Sequence, residues 1–138
     1  MDTGRRESVL ACVTLQCGLE RIIDTAKKIA DDTDCELRVL SVLRPTNDYT
    51  KISNQLEYLD LVSKQAGADM TVVFSDDPAK IAADFAKKNN VSRIVTGMHD
   101  GGEKSFLVKF NELSPLTPIT MLAKDNMIYS MDICRSYS

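Results

Sequence analysis

The chain has 138 residues, 43% hydrophobic and 27% charged, which suits one water-soluble globular domain and excludes a disordered or fibrous chain. Its net charge is −3, with Lys and Arg spread along its length, so there is no basic footprint for nucleic acid. No apolar run approaches the ~18 residues of a membrane span, and no apolar signal-peptide segment follows the polar start, so a cytoplasmic protein without membrane insertion is expected.

Residues 1–7 are polar and read as a flexible N-terminus. Ser8 to Leu15 is a nearly continuous apolar run, the pattern of a strand covered on both faces. Leu19, Ile22, Ile23, Ala26, Ile29 and Ala30 then recur at helical spacing, with Glu20, Arg21, Lys27 and Lys28 directed away from that face. Asp31-Asp32-Thr33-Asp34 reads as the start of a loop, because acidic residues oppose a helix C-terminus. Glu36 to Leu43 is a second strand, closed by Pro45. Residues 48–66 form a helix with Ile52, Leu56, Leu59, Val62 and Ala66 on one face, and Gly67 stands where a C-terminal glycine cap belongs.

Ala68 to Ser75 is a third strand. The next helix has the clearest start in the chain. Asp77 caps the free amides, and Pro78 suits the first helical position, where a missing N–H costs nothing. Ile81, Ala82, Phe85 and Ala86 make its buried face, and Asn89-Asn90 close it. Val91 to Gly102 reads as a short apolar fourth strand running straight into a glycine-rich loop, in which three of six residues are glycine: Gly97, Gly101 and Gly102. A short helix over Ser105 to Leu113 follows, confined by Pro115 and Pro118, and then a fifth strand from Thr117 to Ala123. The tail, 124–138, either adds a strand around Met127 to Met131 or stays mobile. Regular strand–helix alternation implies an α/β domain over 8–123, with a parallel sheet, right-handed crossovers and helices on both faces.

In such a sheet ligands bind at the carboxyl ends of the strands, which is where the glycine loop falls. The loop reads either as a phosphate cradle, with Lys104 and Ser105 adding a cation and a hydroxyl, or as a plain turn. His99 is the only histidine and reads as loop filler or a ligand contact in preference to a catalytic group. The cysteines, Cys12, Cys17, Cys35 and Cys134, follow no zinc or Cys-x-x-Cys spacing and read as reduced structural thiols. Cys17, just before the first helix, is a conceivable redox sensor without a resolving partner near in sequence. There is no Ser-His-Asp set, P-loop or nucleophile elbow, so no enzyme is expected, weak ATP hydrolysis remaining open.

Ile94-Val95-Thr96-Gly97-Met98-His99-Asp100 resembles the fourth-strand signature of the universal stress proteins: an apolar pair, Gly, two residues often ending in His, then a second Gly. Glu20 to Asp32, Gln65-Ala66-Gly67-Ala68 and Ala86 to Val95 are similar to the KdpD-type domain of potassium-sensor kinases. The resemblance spans roughly residues 8 to 123. It implies a three-layer α/β fold with an open five-stranded parallel sheet in the order 3-2-1-4-5. It also implies a homodimer pairing through the fifth strand at Ile119, Thr120, Met121 and Leu122, a sensor-kinase or other regulatory partner, and in some members bound ATP or AMP. Nucleotide-binding members carry Gly-x2-Gly-x9-Gly-(Ser/Thr) and usually an Asp ending strand one. Here Asp100 replaces the second glycine, the segment after it is short, and Thr14 stands in place of the strand-one Asp.

A KdpD-type cyclic dinucleotide site, serine-rich in some domains, would fall on Thr14 and Gln16. The resulting candidate adenine-nucleotide site has Thr14, Gln16 and Gly18 on one wall and Val42 and Arg44 beside the base. Gly97, His99, Gly101, Gly102, Lys104 and Ser105 face the phosphates, with no metal. The alternative is a dimeric interaction protein of the same fold that binds no nucleotide.

Overall fold

The computed structural model describes residues 6–14, 18–45, 49–97, 104–123, 125 and 127–131. Strand and helix alternate within them: β1 (Ser8–Cys12), α1 (Leu19–Thr33), β2 (Glu36–Leu43), α2 (Thr50–Gln65), β3 (Asp69–Phe74), α3 (Pro78–Lys88), β4 (Val91–Gly97), α4 (Lys104–Leu113), β5 (Ile119–Leu122) and β6 (Ile128–Met131). The strands form one sheet in the order β3-β2-β1-β4-β5-β6. The first five are parallel, and β6 runs antiparallel to β5. The sheet therefore has six strands instead of the expected five. The tail supplies the extra one, because Ile128–Met131 runs antiparallel along β5 and takes up that strand's outer backbone groups.

The period-two alternation of each strand feeds two cores. Val9, Ala11, Leu37, Val39 and Val95 point to one face, under Leu19, Ile23, Ala26 and Ala30 of α1 and Leu59 and Val62 of α2. Leu10, Leu40, Ile94, Ile119 and Met121 point to the other, under Ala79, Ala82 and Ala83 of α3 and Phe110 of α4. β1 lies centrally, between β2 and β4, and is apolar on both faces because α1 and α2 cover one and α3 and α4 the other. The polar contacts at the amino ends of the strands are structural. Arg38 Nε donates to Ser8 Oγ (3.0 Å), Ser8 Oγ donates to the Asn89 carbonyl (3.1 Å), and the Arg38 guanidinium pairs with Glu36 and Asp69.

The helix ends follow local chemistry, with one correction. Asp77 Oδ1 accepts from the Lys80 amide and Pro78 occupies the first turn, as expected. Gly67 adopts φ +73°, and the Gly67 and Ala68 amides donate back to the Lys64 and Ser63 carbonyls (3.0 and 2.9 Å), the two bonds of a Schellman ending. The acidic run after Ala30 does not start a loop: α1 continues to Thr33. Lys27 pairs with Asp31 at 3.4 Å, Thr33 Oγ1 donates to the Ile29 carbonyl at 2.6 Å, and Asp34 takes the left-handed conformation (φ 56°) in which aspartate tolerates a glycine's place. The Cys35 amide then closes the helix on the Ala30 carbonyl at 2.8 Å. These local bonds outweigh an unfavourable dipole contribution of a few tenths of a kcal/mol per exposed charge.

Two buried hydroxyls, Ser41 Oγ on β2 and Ser63 Oγ on α2, have no hydrogen-bond partner. Ser63 is fully buried in the last turn of α2, so Ser63→Ala removes an unpaired polar atom and improves helix propensity. The variant should be more stable by about 1 kcal/mol, read as a higher midpoint in urea unfolding with an unchanged slope.

Candidate functional site

From β1 the chain crosses through α1 to β2, while from β4 it crosses through α4 to β5 on the other side. The reversal opens a crevice outside the carboxyl ends of β1 and β4, where Cys12 lies opposite Thr96. α1 and α4 both begin at this end, packed on opposite faces of the sheet. Their first amides lack intrahelical partners and give the crevice partial positive charge.

On the β1 side the Val13 amide donates to the Leu40 carbonyl at 3.0 Å, which carries the pairing with β2 past the end of the strand. Thr14 follows with its side chain exposed, opposite Val42 when that register is continued. Gly18 opens α1 in the left-handed region (φ 96°), and its carbonyl accepts from the Arg21 amide at 3.1 Å. The left-handed backbone is what asks for glycine at this position. A Cβ at position 18 would lie 3.3 Å from Arg21 Nη2, so the guanidinium folds back over the start of the helix.

Glu20, next to it, accepts a hydrogen bond from the Tyr58 hydroxyl of α2. That bond, then the helix amides and the Arg21 charge, hold the Glu20 carboxyl below its ordinary pKa, and the same bond pushes the Tyr58 hydroxyl up. The mouth of the crevice thus combines a helix terminus and a guanidinium with one ionised carboxylate.

Val42 is half-buried near the end of β2 and Arg44 is exposed just beyond it. Phe74, opposite Leu43 across the β2–β3 pair, meets Tyr49 edge to face, with ring centroids 5.6 Å apart at 86°. Gly97 ends β4, opposite Leu122 of β5. Under the crevice floor, burial pushes the Cys12 thiol up to about 12.

The structure therefore brings Thr14, Gly18, Val42, Arg44 and Gly97 to one end of the sheet. Lys104 and Ser105 are the first two residues of α4, with their backbone there as well. Gln16, His99, Gly101 and Gly102 lie outside the described residues, as does Cys17. Ile119, Thr120, Met121 and Leu122 are buried, each paired with β4 on one side and β6 on the other. Sequence reasoning missed Arg21 as a neighbour of the crevice, although its place three residues after Gly18, in the first helical turn, is a usable signal. It also missed the Tyr49–Phe74 pair, which only the β2–β3 register assembles. Among the described residues no group of three His, Cys, Asp or Glu side chains is placed to hold a metal ion, and no helix is long and apolar enough to cross a membrane.

No protein-family model matches the sequence, and no curated protein matches it. Solved structures do match its fold. A universal stress protein from Archaeoglobus fulgidus superposes with a TM-score of 0.66 at 17% identity, covering 83% of this chain and 92% of that one. A universal stress protein in complex with cAMP gives 0.64 at 18% identity, covering 86% and 97%. The Archaeoglobus fulgidus universal stress protein in complex with dAMP gives 0.62 at 20% identity, covering 84% and 96%. The fold is that of the universal stress proteins.

Proposed function

We propose that this chain is a universal-stress-type binding and regulatory module that takes an adenine nucleotide in the crevice between β1 and β4. The observation that carries this reading is the convergence of two helix N-termini, α1 and α4, on a switch-point crevice at the Gly97 end of β4. Structures of the same fold hold cAMP and dAMP, which supports a mononucleotide as the ligand class. Gly18, Thr14 and Gly97 line the crevice, Val42 and Arg44 flank the base, and the α4 terminus at Lys104 and Ser105 faces the phosphates, with Gln16, His99, Gly101 and Gly102 contributing from the adjoining loops. ATP, AMP and a cyclic dinucleotide are the ligands to compare. The module works without catalysis. It shifts a dimer or a partner domain between two states by binding one of them better. The KdpD-like stretches favour a sensor kinase in a cytoplasmic potassium or osmotic response as that partner.

A second reading has specific support. Thr14 replaces a carboxylate acceptor, and Glu20 places a negative charge in the first turn of α1, where an anionic ligand would approach. Both features suit a scaffold that signals through protein contacts alone. Thermal unfolding with ATP, AMP, cAMP and cyclic di-AMP separates the two readings. A ligand at 100 times its dissociation constant stabilises by ~2.7 kcal/mol, a rise in midpoint of roughly 10 °C for a domain of this size. No shift with any of the four sinks the nucleotide reading and leaves the scaffold.

A further inference from the structure

The carboxyl ends of β2 and β3 carry two aromatic rings that belong to neither buried cluster of the sheet. Tyr49 and Phe74 are 55% and 38% exposed and meet edge to face, with ring centroids 5.6 Å apart at 86°. Contact at that angle uses the edge of one ring and a single face of the other, so the remaining faces are open to stacking.

Local structure gives no reason for an aromatic residue at position 49. Tyr49 stands at the N-cap of α2, where Ser, Thr, Asp or Asn would accept from the free amides, and its side chain makes no capping hydrogen bond. The tertiary structure gives the ring a place. Leu43 pairs with Phe74, Phe74 touches Tyr49, and Arg44 follows Leu43, so both ends of the connection from β2 to α2 meet at Phe74. An exposed guanidinium and two exposed rings thus gather where β2 leaves the sheet. Guanidinium planes and aromatic faces are the surfaces on which nucleotide bases stack.

The geometry points to Tyr49, backed by Phe74, as the specificity-determining contact that takes the purine base of the ligand and distinguishes it from a bare sugar phosphate. This rests on the nucleotide reading of the crevice and deepens it. In the order β3-β2-β1-β4, β2 is two strands from β4, and β3 is the next strand out. At ~4.8 Å per strand, a ligand with its phosphate at the Gly97 end of β4 lays its sugar across β1 and its base over the end of β2, roughly 10 Å away. The base therefore arrives beside Val42 and Arg44, with Phe74 on the neighbouring strand and Tyr49 against Phe74. Stacking asks for a planar π face and no particular hydrogen-bond pattern. The contact therefore favours a large purine over a small pyrimidine by area, and leaves the choice between adenine and guanine to other groups.

Calorimetric titration of the full chain with AMP and with ribose 5-phosphate, the same ligand without its base, tests this. Tyr49→Leu keeps an apolar side chain against Phe74 and removes the π face, whereas Tyr49→Phe keeps both. AMP affinity should fall about tenfold in Tyr49→Leu and stay near wild type in Tyr49→Phe, with ribose 5-phosphate bound equally by all three chains. In NMR spectra of the wild type, the Tyr49 ring protons should move upfield with AMP and stay in place with ribose 5-phosphate. A ring that only supports the start of α2 would move the unfolding midpoint, or weaken both ligands together, without that signature. If Tyr49→Leu binds AMP as tightly as wild type, or loses both ligands equally, the assignment is overturned while the nucleotide reading stands. A wild-type chain that binds no AMP overturns both, so the two failures are distinguishable.

Discussion

Phe110→Ala should destabilise the folded chain by about 3–5 kcal/mol, a large share of the 5–15 kcal/mol typical of a domain. Phe110 is the largest of the fully buried side chains. It enters the core formed by Leu10, Leu40, Ile94, Ile119 and Met121 of the sheet and Ala79, Ala82 and Ala83 of α3. The fully buried α3 residues there are alanines, too short to collapse into the space it would vacate, while Ile81 and Phe85 pack only partly buried against the cluster, so much of the cavity persists and its cost adds to the lost transfer free energy.

α4 is only ten residues long, below the length at which an isolated helix is stable in water. Among its described side chains Phe110 alone is fully buried, supported by the half-buried Phe106, whose ring stacks on it at 6.1 Å. Urea unfolding should show the loss, and amide exchange should speed most in α4, whose start at Lys104 faces the candidate phosphate end. Phe110→Leu keeps most of the volume and should cost less than half as much. Equal costs for the two variants would refute the packing account.

Cys12 should resist alkylation at neutral pH by roughly a thousandfold relative to an ordinary thiol. The cause is desolvation: burial raises the thiol pKa from 9.0 to about 12, and only the thiolate attacks. The same shift makes a stability prediction whose sign can be stated. The native state holds the proton that the unfolded chain releases above pH 9, so the contribution is fully present below that pH and declines as pH rises from 9 towards 12. The slope is about 1.4 kcal/mol per pH unit over that window. Cys12→Ala should flatten this part of the stability–pH curve, and mass spectrometry after iodoacetamide should find Cys12 unlabelled in folded protein and labelled in urea. Rapid labelling of the folded chain would contradict the burial of the thiol. Cys12 packs partly buried against the core that holds Leu10, Leu40 and Ile94, so its thiol serves as packing at this end of the sheet.

Much of the fold was legible because its signals are local. Asp77-Pro78 stops and starts backbone hydrogen bonding at one place, Gly67 permits the left-handed turn that closes α2, and the apolar run Glu36 to Leu43 matches β2 residue for residue. The end of α1 was not legible. Whether Asp31 and Asp32 belong to a helix depends on the Lys27 pair and on Asp34 taking a positive φ, and composition weighs neither. At the site, the positions of Thr14, Gly18, Val42, Arg44 and Gly97 followed from strand order alone, since all of them end or follow elements at the same edge of the sheet.

The sequence by itself determined the alternation of strands and helices, the two-sided apolar strands of a covered sheet, and the glycine-bearing crevice at the switch point. Each of these is written within a few consecutive residues as period, cap or breaker. Only the tertiary structure decided that Arg21 folds over Gly18, that Phe74 meets Tyr49, that the Cys12 thiol is desolvated, and that β6 covers β5. Those features join residues distant in sequence or depend on what surrounds them, and their free energy exists only once the sheet register has brought the partners together.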